Sequence, residues 1–131
     1  MRLWHQNLIK QLDRQRLLGQ HRECCALRGG GWGKPHATVN YVFEHDPAYL
    51  VAYHKKVMEE MKRRGYNVDP LWENIEYRGK TILATEHFCD HNKFEELILK
   101  DEIIFPEHNE TYLNECLELL KVKGAPITYE R

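Results

Sequence analysis

Two groups near the start of the chain could carry out covalent chemistry together: the α-amine of Met1 and the carboxylate of Glu23, with basic side chains around both. An α-amine ordinarily titrates near about 7.7–8.0, against about 10.4 for a lysine, so far more of it is an unprotonated nucleophile near neutral pH. A carboxylate beside it can move protons. The bulky Arg2 is expected to block removal of the initiator methionine, leaving Met1 as the nucleophile. The pairing points to amine-based covalent catalysis on a polyanion.

A helix must hold Glu23 in place. Asp13 is a suitable N-cap for one reaching about Leu27, ended by Gly29-Gly30-Gly31. Leu17, Leu18, His21, Cys24, Cys25 and Arg28 fall on one face of it, while Arg16, Gln20 and Glu23 share another stripe. Gly19 lowers helix propensity by about 1 kcal/mol relative to alanine, which predicts close packing of the N-terminal segment there. A second helix begins at Asp46-Pro47 and ends at Gly65, with Leu50, His54, Val57, Met58 and Met61 facing inward. A third runs from near Asn109 to Lys123, closed by Gly124, and a shorter one covers Asn92 to Leu99. Residues 37–43 alternate like a strand, but a single strand has no partner, so a short helix or extended piece is expected. Pro70 to Thr85 reads as a long surface connection. The expected fold is all-α: one compact domain over residues 1–131, with about three main helices and long loops.

Bulk composition agrees with a globular chain. It has 131 residues, 42% hydrophobic and 30% charged, with a formal net charge of −1. Its start is too polar for a signal peptide, no stretch suits a membrane span, and Cys24, Cys25, Cys89 and Cys116 form no evident disulfide framework. A cytoplasmic setting is expected. The charge is unevenly spread. Residues 1–40 hold seven Lys/Arg against two acids, and residues 81–131 hold five against eleven. A basic front of this kind suits phosphate.

Two further motifs carry possible chemistry. The loop from Arg28 to Lys34 is basic and glycine-rich, but Pro35 follows Lys34, so it departs from the nucleotide-binding GxxxxGK[ST] pattern. Trp32 there could stack on a base or wedge beside one, or pack in the core. His87-Phe88-Cys89-Asp90-His91 could place His87 and His91 on one helical face to bind zinc.

The segment MRLWH…LDRQRLLGQHRE, carrying Arg2, Leu17-Leu18 and Arg22-Glu23, resembles the opening of the pyrimidine-dimer DNA glycosylase family. His36-Ala37-Thr38 and the stretch Val57 to Tyr66 resemble its second helix and the basic-Gly-aromatic turn that follows. The resemblance spans residues 1–28 and 36–68. It implies a DNA glycosylase and abasic-site lyase acting on double-stranded, damaged DNA. The amine of Met1 would attack C1′ and form a Schiff base, Glu23 would transfer protons, and no metal or other cofactor would be needed. Phosphate contacts are expected from Arg2, Arg14, Arg16 and Arg22, with His21, Arg28, Trp32 and Lys34 beside them. Ala26 stands near the place of an arginine in the family's phage member, with Arg28 the nearest substitute. The phage member's basic, aromatic C-terminus has no counterpart here. Two other readings compete: a non-enzymatic nucleic-acid-binding module, and a metal-dependent hydrolase built on His87 and His91.

Overall fold

The structure, a computed structural model, describes residues 1–84 and 87–130. Helix boundaries follow local chemistry closely. Asp13 accepts the Arg16 amide to open α1 (Arg14–Arg28), Asp46 accepts the Ala48 amide ahead of Pro47 in α2 (Pro47–Arg63), and Asn109 accepts the Tyr112 amide in α4 (Glu110–Val122). The shorter helix α3 (His91–Lys100) is capped by Asp90. α2 ends in a Schellman turn: Tyr66 N–H reaches the Met61 carbonyl, Gly65 N–H reaches Lys62, and Gly65 takes φ 82°. At the end of α1, a Cβ on Gly31 would sit 2.8 Å from the Ala26 carbonyl oxygen, and one on Gly29 would sit 2.9 Å from that of Arg78. Both positions therefore require glycine.

Three 3-10 helices complete the regular structure among the described residues, at Gln6–Gln11, Asn40–Glu44 and Pro70–Glu73, and no strand occurs. The all-α expectation is met, with more helices than the three main ones expected. The stretch at 37–43 is a turn leading into a 3-10 helix, as its lack of a partner strand implied. The expected connection from Pro70 contains a 3-10 turn capped by Asp69; its far end, Thr85, lies outside the described residues. Among the described residues, no helix is long and apolar enough to cross a membrane.

α2 lies at the centre, packed against α1, α3 and the first two 3-10 helices. Leu50, Val57 and Met61 are buried as expected, with Ala52 and Tyr53 beside them. Each large apolar side chain buried this way contributes about 1.5–3 kcal/mol relative to exposure. The N-terminal segment, for which the sequence suggested no regular element, is also core: Leu3, Trp4, Leu8, Ile9 and Leu12 are all buried. His5 starts its 3-10 helix by accepting the Asn7 amide at Nδ1.

Two buried histidines give the fold a pH dependence. His108 accepts the Gln6 amide at Nδ1 (3.1 Å), which leaves its Nε2–H to donate to the Tyr41 hydroxyl (2.8 Å). Both ring nitrogens are used by the neutral ring, and burial, followed by the nearby His5, lowers its pKa to about 3. Burial, then Arg28 and His21, holds His54 well below its usual value of 6.5. Because both folded pKa values are depressed, the unfolded chain takes up protons first, and stability falls as pH drops below about 6.5. Each ring contributes a loss of up to about 1.4 kcal/mol per pH unit. Urea unfolding followed by circular dichroism should therefore give a clearly lower midpoint at pH 5 than at pH 7. An unchanged midpoint would show that these rings are not held neutral.

Candidate active site

The first four residues run without regular structure across α1, and side chains rather than a sheet satisfy their backbone. Thr38 Oγ1 donates to the Met1 carbonyl, Gln20 Nε2 to that of Arg2 (2.9 Å), Tyr112 to that of Leu3 (2.5 Å) and Tyr53 to that of Trp4 (2.6 Å). Four separate parts of the chain thus hold four consecutive carbonyls. Gln20 also accepts the Trp4 amide at Oε1 (2.7 Å). Buried backbone groups must find partners, and here they fix the segment's path.

Glu23 completes the arrangement. Its Oε2 accepts the Arg2 amide at 3.4 Å and Gln20 Nε2 at 3.0 Å. Covalent geometry then keeps the Met1 nitrogen within roughly 7 Å of that oxygen. Burial pushes the Glu23 carboxyl above its usual pKa, while the Arg2 amide, the terminal amine, Arg22 and Gln20 pull it back down. It is a half-buried carboxyl that holds a proton more readily than a solvated one, next to an amine. That is the equipment for proton transfer during amine catalysis.

Residues 1–74 match the sequence profile of the family described as pyrimidine dimer DNA glycosylase. The chain belongs to that family. No curated protein and no solved structure matches it. The family match covers Met1, Arg2, Gln20, Glu23, Thr38 and Tyr53, but ends before Tyr112 and Glu115.

The remaining expected site residues of this glycosylase-family chain are spread around α1. Arg2 points its guanidinium at Glu115 Oε1 (3.1 Å) and the Tyr112 hydroxyl (3.4 Å). Arg14 lies over the Tyr66 ring, 4.7 Å from its centroid, and Arg16 pairs with Asp13. Arg22 and Lys34 are exposed. Trp32 is half-buried, edge-on to Phe43 and Phe88. Gly19 does not serve as the crossing point of the N-terminal segment, since a Cβ there would meet only the Arg22 guanidinium at 3.7 Å. The crossing is at Gln20.

Arg28 does not belong to the phosphate-facing surface expected of it. It is fully buried, so it cannot reach phosphate or replace the arginine missing near Ala26. Its guanidinium donates to the carbonyls of Trp72 (3.1 Å), Asn74 (2.8 Å) and Tyr77 (2.9 Å), and approaches His54 Nδ1 at 3.1 Å. His54 therefore carries its proton on Nε2 and donates it to His21 Nδ1 at 2.8 Å. His21 is thus held in an internal chain, and burial, then Arg22 and Arg28, lower its pKa.

Two groups of side chains could hold a metal among the described residues: His21, Cys25 and His54, and Glu76, Cys89 and His91. The expected pairing of His87 with His91 on one helical face does not form. α3 begins at His91, which leaves His87 in the turn before it.

Proposed function

We propose that the protein is a DNA repair glycosylase and abasic-site lyase, with the Met1 α-amine as nucleophile and Glu23 as its acid–base partner. The observation that carries this reading is the Glu23 carboxylate hydrogen-bonded to the Arg2 amide, in a segment whose four carbonyls are each held by a side chain. Fixing a reacting group in this way removes much of the entropic cost of reaching the transition state.

The amine attacks C1′ of the damaged nucleotide, the glycosidic bond breaks and the base departs. Opening of the sugar gives a Schiff base between C1′ and the Met1 nitrogen. Glu23 moves protons at the sugar, and β-elimination then breaks the bond from C3′ to its phosphate oxygen. Arg2, Arg14, Arg16 and Arg22 supply positive charge along the segment and α1 for the DNA backbone. Such an enzyme needs its target nucleotide out of the stack, and Trp32 and Lys34 stand in the loop after α1 to contact the distorted duplex.

The Arg2–Glu115 pair tempers that surface. Glu115 is about half exposed, and an exposed pair is worth about 0–1 kcal/mol, so a phosphate can take its place. Glu115→Gln should tighten binding to an abasic-site duplex by up to about fivefold at low salt, measured by fluorescence anisotropy. Unchanged affinity would mean that Arg2 does not face the DNA.

Nicking assays on an abasic-site duplex and on an ultraviolet-irradiated duplex test the function. The lyase reading predicts strand cleavage at the abasic site, and the glycosylase reading predicts cleavage of irradiated DNA as well. Binding to both without cleavage would instead describe a non-enzymatic binding module.

A further inference from the structure

Glu76, Cys89 and His91 converge where the chain after the third 3-10 helix meets the turn into α3. Glu76 Oε1 lies 3.6 Å from Cys89 Sγ and 2.5 Å from His91 Nε2, and all three donor atoms fall within 4.8 Å of one another. We propose that these three residues form a zinc site that ties this connection to the start of α3.

The donor set is thiol, imidazole and carboxylate, the ligands zinc takes, and a thiolate beside an imidazole disfavours magnesium or calcium. Zinc bonds of about 2.3 Å to sulfur and about 2.0 Å to oxygen, at a tetrahedral angle, set the two ligand atoms about 3.5 Å apart. The Sγ–Oε1 spacing already matches this. The His91–Glu76 pair is closer, as an ion pair or hydrogen bond would be, and opens by under about 1 Å to admit the metal.

The surroundings hold the ligands in place. Phe88 N–H donates to Glu76 Oε2 at 2.9 Å, which leaves Oε1 turned toward the other two donors. Asp90 N–H donates to Asp46 Oδ1 at 2.9 Å, so the ligand-bearing turn is fastened to the N-terminal cap of α2. Glu76 and Cys89 are both buried, whereas His91 is exposed and leaves a fourth position open to solvent. The nearby Arg78 is committed elsewhere, to the carbonyls of Arg28 and Gly29. Cys89 Sγ and Glu76 Oε1 set a sulfur and a carboxylate oxygen side by side in one buried place, where a divalent cation can sit between them. On binding, zinc takes the sulfur lone pair as the thiol proton leaves to solvent, and the His91 proton moves through solvent from Nε2 to Nδ1, which frees the Nε2 lone pair for the metal.

The alternative cluster lacks this character. With Arg28 donating to His54 Nδ1, His54 Nε2 carries a proton where the metal would bind.

Metal content of the full-length protein, purified without chelator, tests the site by elemental analysis and native mass spectrometry. Cobalt(II) added to the stripped protein reports thiolate ligation through its charge-transfer absorption. We expect one equivalent of zinc and a thiolate–cobalt band. His91→Gln, a surface change that leaves the fold intact by circular dichroism, should weaken zinc at least about tenfold. Cys89→Ser should abolish the band, and Cys25→Ser should leave both readouts unchanged. Absence of zinc and of the band in the parent protein would overturn the proposal. So would a band lost in Cys25→Ser but kept in Cys89→Ser, or zinc affinity unaffected by His91→Gln.

Discussion

Glu23→Gln should lower the rate of strand cleavage at an abasic site by roughly 10²–10⁴-fold, the range over which a positioned acid–base group contributes. The substitution preserves shape and keeps an oxygen to accept from Gln20 and the Arg2 amide, so the N-terminal segment should stay where it is. What it removes is the proton-exchanging carboxyl, whose affinity for a proton is raised by burial. Binding to the abasic duplex should change little, because the proposed phosphate contacts are the arginines and not Glu23. A single-turnover assay separates the two effects. Cleavage within tenfold of the parent rate would show that Glu23 is not the acid–base group.

Arg28→Met should destabilise the fold by about 3–5 kcal/mol, because it leaves several buried acceptors without a donor. Arg28 is wholly enclosed and serves the carbonyls of Trp72, Asn74 and Tyr77 together with His54 Nδ1. Methionine fills similar space but leaves those acceptors without a donor, and each orphaned buried group costs about 1–3 kcal/mol. The shift is read from the urea midpoint at constant m-value. A loss below about 1 kcal/mol would mean that water replaces the guanidinium without strain.

Local chemistry was the legible part of this fold. Asp13, the Asp46-Pro47 pair and Asn109 open helices, and Gly65 and Gly124 close them, because a cap or a left-handed turn depends on a few adjacent residues. The N-terminal segment was illegible for the opposite reason. It is irregular, and its path is set by Thr38, Gln20, Tyr53 and Tyr112, which are distant in sequence and ordinary in type. Gln20 sat on the same helical stripe as Glu23, which was the one available sign that it faces the segment. Arg28 carried a similar sign, since it shares the apolar stripe of Leu17 and Cys24, yet its charge suggested a phosphate contact. The stripe was the better guide. His87 and His91 showed helical spacing across a boundary that Asp90 sets as an N-cap, so the spacing had no helix to act on.

Borohydride trapping on an abasic-site duplex, with the adduct mapped by peptide mass spectrometry, shows whether the Met1 amine is the nucleophile. Reduction should fix the DNA to the Met1 nitrogen, and blocking that amine by acetylation should abolish the adduct. No adduct under conditions where the duplex binds, or an adduct on Lys10 or Lys34 instead, would contradict the assignment of Met1 as the nucleophile.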